Sequence, residues 1–277
     1  MSSIFRAIAR ETVAIIDADG YQSPSGRAVR LGDDIDAAVA GTRLYLPDEK
    51  VTVPQAGGSG VPVVEVTNET SLSASRRLSA VARGAEARGD GVGCLVFASA
   101  HKPGGGFLNG AQAQEETIAR ASALYASLSA VPEFYSFHRE HRDLLYSDRV
   151  IYSPGVPVFR DDDETLLDEP YRVSFLTAAA PNLGAIMVDQ PASAARISSV
   201  LDARARRVLE VAAANGHRTL VLGAWGCGVF RNDPASVAAI FAGHLRRVPG
   251  WFDRVVFAVL DRQPGAPTYS AFARELG

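Results

Sequence analysis

From residue 61 onward, short apolar runs alternate with helical patterns, and this alternation is the strongest constraint on the fold. Val61 to Thr67 reads as a buried strand. Residues 71–88 read as a helix with Leu72, Leu78 and Val81 facing inward. Val92 to Ala98 reads as a central strand, and a glycine-rich loop leads from it to a helix starting near Gln114. Arg149 to Tyr152 and Val156 to Phe159 read as two strands around a Ser-Pro-Gly turn, with another at Arg172 to Thr177. Residues 193–214 have a long helical pattern that stops at Asn215-Gly216. Thr219 to Leu222, a helix near 234–247 and Arg254 to Leu260 complete the series. Strands alternating with helices predict an α/β fold, with a largely parallel sheet sandwiched between helices.

Upstream, residues 4–16 place Ile4, Phe5, Ile8, Ala9, Val13 and Ile16 on one helix face, with Ser3 available as a cap. A short helix is expected over Asp33 to Val39, closed by Gly41. Gln55-Ala56-Gly57-Gly58-Ser59-Gly60 is the most linker-like stretch. The expected organisation is an N-terminal extension, 1–60, packed on a catalytic body, 61–277.

Composition serves mainly to exclude. Of 277 residues, 47% are hydrophobic and 21% charged, which suits a packed core and argues against disorder. A net charge of −3 does not announce a sequence-specific nucleic-acid binder that works by neutralising phosphates. The two cysteines, Cys94 and Cys227, form no CxxC pair, so no disulfide framework or zinc site is indicated. No secretory h-region and no membrane-spanning run is present, so the expected location is the cytoplasm, with no membrane partner.

In open α/β sheets, ligands bind outside the carboxyl ends of the strands. Two loops at that edge are unusual. The first runs from His101 through Gly104, Gly105, Gly106 and Phe107 to Gln114. Its glycines permit positive φ and close backbone approach, and its amides, with the following helix start, suit an anion. The second contains Gly226, Cys227, Gly228, Val229 and Phe230, with Asp233 and Pro234 opening the next helix. Neither ends in the Gly-Lys-Ser/Thr of a P-loop. Two such loops suggest a diphosphate bound by backbone.

Glu115 and Glu116 sit at the helix start beside the first loop. Acids there complement the helix dipole. Adjacent helical residues also point about 100° apart, so the pair can divide two tasks, one orienting a substrate and the other transferring a proton. Repulsion between them raises the proton affinity of one, and the helix terminus opposes this. A carboxylic acid in this position can protonate a glycosidic oxygen and then activate water.

Pro103-Gly104-Gly105-Gly106 through Gln114-Glu115-Glu116 resembles the GGG-x(6–8)-QEE signature of the poly(ADP-ribose) glycohydrolases. Gly226 to Phe230 resembles their diphosphate loop. Val66 to Leu72, Ile151 to Arg160 and Ala180-Pro181-Asn182 match the bacterial-type subgroup. The resemblance runs in order from about Val61 to Asp261. It implies a macrodomain fold and an exo-acting hydrolysis of the ribose–ribose bond without cofactor or metal. The implied substrate is poly(ADP-ribose) on modified proteins, and the product is ADP-ribose. It further implies that Glu116 is the general acid/base and that Glu115 holds the terminal ribose. Residues 226–230 would wrap the diphosphate, with Phe230 against that ribose. Val96 stands where relatives carry Asn, which makes Ser99 the candidate for a ribose contact from this strand. Two alternative functions share this chemistry: a mono-ADP-ribosyl hydrolase on protein or DNA adducts, and a non-catalytic ADP-ribose reader.

Other residues draw blander expectations. His138 and His141 lack a third metal ligand and read as a solvated polar segment. Asp161 to Glu164 reads as a solvated loop. Cys227 has no dedicated histidine partner, and Trp225 reads as core.

Overall fold

A computed structural model describes residues 2–53, 60–84 and 91–277. The N-terminal part contains α1 (Ser2–Asp17), the hairpin β1 (Gly20–Gln22) and β2 (Ala28–Arg30), α2 (Gly32–Gly41) and β3 (Arg43–Tyr45). Then follow β4 (Val63–Thr67), α3 (Ser71–Gly84), β5 (Val92–Phe97), α4 (Gln114–Ala121), α5 (Leu124–Ser129) and α6 (Pro132–Glu140). The long strands β6 (Val150–Arg160) and β7 (Leu166–Ala178) form a hairpin. The chain ends with α7 (Leu183–Asp189), α8 (Ile197–Ala214), β8 (Thr219–Leu222), α9 (Pro234–Arg247), β9 (Arg254–Ala258) and α10 (Pro267–Leu276).

Seven strands form one sheet in the order β3-β6-β7-β5-β8-β9-β4. Pairing is parallel from β7 through β5, β8 and β9 to β4, and antiparallel at β3-β6 and β6-β7. The expected mixed, largely parallel α/β sandwich is therefore the observed fold. Side chains alternate between its faces, as the strand period of two requires. Cys94, Val96, Val221 and Val256 point toward Leu72 and Leu78 of α3 and toward Ile118 and Leu124. Leu95, Leu220, Leu222, Val255 and Phe257 point toward Leu201 and Val208 of α8, Phe241 of α9 and Phe272 of α10.

Several local expectations need correction. The Ser-Pro-Gly segment does not separate two strands: β6 continues through it. Three steps from Ser153 to Val156 face two steps from Phe175 to Val173, so one extra residue bulges out while pairing resumes beyond. Gly155 takes φ 53° in that bulge. Val81 is 67% exposed, whereas Leu72 and Leu78 are buried. Residues 85–88, the expected end of that helix, lie outside the described residues, as do residues 55–59 of the glycine-rich stretch. α1 begins at Ser2, so Ser3 sits within its first turn rather than capping it. The segment before residue 60 adds β3 to the sheet by pairing with β6 through Arg43, Leu44 and Tyr45.

Candidate active site

The carboxyl ends of β4, β5, β7, β8 and β9 open into a cleft of about 1400 Å³. Its walls include Thr70 and Ser71 after β4, Ser99 and His101 after β5, Asn182 after β7, Gly226 to Phe230 after β8, and Asp261 to Gln263 after β9. Glu115 and Glu116, in the first turn of α4, enter the cleft from one side. Ile4, Phe5 and Ile8 of α1 form part of the wall as well.

Gln114 sets where that helix begins. Its Oε1 accepts the backbone N–H of Phe97 at 2.9 Å, and its Nε2 donates to Leu95 O at 2.7 Å and to Ser71 Oγ at 3.1 Å. Its amide is thus engaged with β5 and the start of α3, which makes Gln114 a support for the glutamates rather than a free ligand donor.

The two carboxyl groups occupy different environments. Glu115 is 2% exposed. Its Oε2 accepts the Ser99 N–H at 2.6 Å, while Oε1 is buried without a hydrogen-bond partner among the described residues. Burial pushes its carboxyl well above the ordinary carboxylate range. The backbone N–H groups of Ser99 and Gly104 oppose that shift, and the nearby Glu116 charge reinforces it. Glu116 is half-buried at the cleft wall. Its Oε1 accepts Gly106 N–H at 2.9 Å and its Oε2 accepts Ala113 N–H at 3.1 Å.

The first glycine loop therefore already faces the protein's own glutamate carboxyl groups. Gly105 has φ 60°, and a Cβ there would overlap Glu116 Oε1 and stand 3.0 Å from Glu115 Oε2. The expectation that this loop's amides await a phosphate is corrected: Gly104, Gly105 and Gly106 cradle the glutamates. Phe107 could close over substrate or anchor the loop, and it takes the second role. It is fully buried, packing with Ala9, Ala119 and Tyr125, so it anchors the loop to α1 instead of facing the cleft. Ser99 contributes its backbone N–H to Glu115, and its hydroxyl accepts from His101 N.

The second loop is different. The backbone N–H groups of Gly226, Gly228, Val229 and Phe230 donate to no protein acceptor among the described residues, and all four residues line the cleft. Asn232, 2% exposed, pins this loop by donating from Nδ2 to Pro181 O at 2.9 Å and from its backbone N to Gly226 O. Gly226 has φ 74°, and a Cβ there would strike Ala180. Burial pushes the Cys227 thiol up to about 12, so it carries no thiolate at neutral pH and is unsuited to nucleophilic attack. Trp225 is buried, its Nε1 donating to Ala178 O, as a core residue should. Asp233 caps α9 by accepting Ser236 N–H at 2.8 Å.

Other expectations change in context. His138 is buried, with Nδ1 beside Phe134 O and Nε2 beside Ser147 Oγ, and burial lowers it to about 4. Only His141 of that pair is exposed. The acidic turn is not merely solvated. Glu164 pairs with buried Arg120 at 2.8 Å, and Asp162 accepts from Thr70 and Ser73. No cluster of three or more His, Cys, Asp or Glu able to hold a metal ion occurs among the described residues. Among these residues too, no helix is long and apolar enough to cross a membrane.

An α/β sheet with a carboxyl-edge cleft, a glutamate pair at a helix start and an open amide loop suits an enzyme that binds a phosphorylated ligand and works by carboxyl acid/base chemistry. The comparisons with known proteins narrow this. The family model for the microbial-type PARG catalytic domain matches residues 9–161. The crystal structure of poly(ADP-ribose) glycohydrolase (PARG) from Thermomonospora curvata is 54% identical with a TM-score of 0.91, covering 99% of this chain and 100% of that one. The same organism's enzyme bound to the inhibitor ADP-HPD gives a TM-score of 0.89 at 54% identity, with the same coverage. The Deinococcus radiodurans PARG in complex with ADP-ribose is 45% identical with a TM-score of 0.80, covering 89% of this chain and 98% of that one. No curated protein matches. The chain belongs to the microbial-type poly(ADP-ribose) glycohydrolases, hydrolases that act on poly(ADP-ribose).

Proposed function

We propose that Glu116 is the general acid/base of this hydrolase, that Glu115 holds the terminal ribose, and that cleavage proceeds from chain ends. The observation that carries the assignment is the unequal setting of the two carboxyls on either side of Gly105. Glu115 is buried with one oxygen anchored by Ser99 and the other unpartnered. The unpartnered oxygen of Glu115 is the hydrogen-bonding group this reading assigns to a ribose hydroxyl. Glu116 stands at the cleft wall on two loop amides.

In the proposed step, protonated Glu116 gives its proton to the ribose oxygen that leaves with the next unit. The glycosidic C–O bond breaks toward an oxocarbenium-like centre. The Glu116 carboxylate then takes a proton from water as the water oxygen bonds to that carbon, which releases ADP-ribose and restores the acid. The open amides of Gly226, Gly228, Val229 and Phe230 hold the diphosphate, and the Phe230 ring packs against the terminal ribose. The wall formed by Ile4, Phe5 and Ile8 of α1 keeps polymer from running through the cleft, which supports action at chain ends of poly(ADP-ribose) on modified proteins.

The test is turnover of defined poly(ADP-ribose) by wild type and Glu116→Gln, with products resolved by size. Monomeric ADP-ribose from wild type is expected. The variant should lose roughly 10²–10⁴ in rate, the range of general acid–base catalysis, and still bind ADP-ribose. Full turnover by Glu116→Gln would overturn its role, and internal fragments from wild type would overturn end-directed cleavage.

A further inference from the structure

Five non-glycine residues take positive φ among the described residues, and two of them meet at one aromatic ring. Arg231, φ 61°, immediately follows Phe230. Tyr146, φ 57°, packs against Phe230 with ring centroids 6.0 Å apart. An aromatic residue in the left-handed region is strained, and such strain persists only where surrounding contacts over-determine it. Those contacts are present. Tyr146 N–H donates to Asp143 O at 3.0 Å, Leu145 N–H donates to Asp143 Oδ1, and Asn182 N–H donates to Leu144 O. Behind the ring, His138 meets it edge-on at 5.8 Å, and its own Nε2 is tied to Ser147. The Tyr146 hydroxyl faces the side chain of Asn182, which also caps α7.

The ring's position is informative. On its cleft side it lies edge-on to His101 at 5.8 Å, and both residues line the cleft. His101 belongs to the loop that cradles the glutamates, and Phe230 to the loop with open amides. Tyr146 thus spans the two ligand loops at their junction. The loop bearing Phe230 is held from the same side, since Gly184 N–H, one residue into α7, donates to Phe230 O at 3.0 Å. We propose that Tyr146 is a positioning and specificity residue. It fixes Phe230 and forms with it an aromatic corner against which the apolar face of the terminal ribose rests, between the diphosphate loop and the glutamates. This rests on the reading above that Phe230 packs against that ribose.

The experiment compares ADP-ribose with ADP, which lacks the terminal ribose, as ligands of wild type, Tyr146→Phe, Tyr146→Ala and Tyr146→Asn. Asn tolerates the left-handed backbone, so that variant removes the ring without adding strain. Wild type should prefer ADP-ribose. Tyr146→Ala and Tyr146→Asn should weaken ADP-ribose by about five- to tenfold, the scale of one aromatic contact, and leave ADP nearly unchanged. Tyr146→Phe should retain most of the preference. An equal loss for both ligands, or none for either in the folded Tyr146→Asn variant, would overturn the proposal. A wild type that binds ADP and ADP-ribose equally would instead overturn the placement of the terminal ribose at Phe230, and this proposal with it.

Discussion

The Ser99 backbone N–H donates to Glu115 Oε2 at 2.6 Å, and no comparable donor reaches Glu115 Oε1 among the described residues. The N–H groups of Ser99 and Gly104 do not offset the lost hydration of a buried carboxyl, so burial dominates and the proton is retained above the ordinary carboxylate range. The folded state therefore binds more protons than the unfolded one as pH passes from that range up to the raised value. In that window stability falls with rising pH. Glu115→Gln is neutral at every pH and should remove that slope, leaving the protein more stable than wild type at neutral pH. Thermal midpoints of both proteins from pH 4 upward in steps of about one unit cover the window that opens near the ordinary Glu value. Parallel curves would refute a raised Glu115.

Gly105 should tolerate no side chain. Alanine there would need the left-handed backbone and would push Glu116 off the Gly106 amide. A displacement of about 1 Å in a reacting group can lower turnover about a hundredfold, so Gly105→Ala should fold and bind ADP-ribose yet turn over polymer at about 1% of wild type. Wild-type turnover would show that the two carboxyls are not held through this position.

Gln114→Ala should be a stability variant first. It leaves Phe97 N–H and Leu95 C=O without their partner, at about 1–3 kcal/mol for a buried unsatisfied group. Denaturant unfolding should show this loss without ligand. A variant as stable as wild type but weaker for ADP-ribose would mean that Gln114 contacts the ligand directly.

Arg120 is 2% exposed and joins three parts of the site. It pairs with Glu164, donates to Ala111 O in the catalytic loop, and lies 4.4 Å from the Phe5 ring centroid of α1. Glu164→Gln would leave its charge buried without a counter-ion, which costs about 3–5 kcal/mol. Glu49→Gln, opposite the exposed Arg43, should change stability by less than about 1 kcal/mol. Equal effects of the two substitutions in chemical denaturation would contradict the burial assigned to Arg120.

Much of this molecule was legible locally. Val92 to Ala98 and Thr219 to Leu222 are apolar without alternation, as strands covered on both faces must be, and they lie side by side in the sheet. The helix start at Gln114, the Asp233 cap and the stop at Asn215-Gly216 are set by neighbours a few residues away, so their signals sit in the sequence itself. The glutamate pair and the second glycine loop were placed at the right edge for the same reason.

Tertiary structure alone decided what each of those groups does. The two glycine loops look alike as sequence, because glycine reports permitted backbone angles and not the acceptors that the fold brings to the amides. Folding places Glu115 and Glu116 on the first loop and leaves the amides of Gly226, Gly228, Val229 and Phe230 open. Phe107 turns away into a cluster with α1, a contact nearly a hundred residues distant in sequence. Tyr146 and Phe5, which no motif marks, reach the cleft through packing of the same long range. Periodicity determines which face of an element is buried; only the assembled sheet determines which polar groups remain unpaired at its edge, and those are the groups available to a ligand.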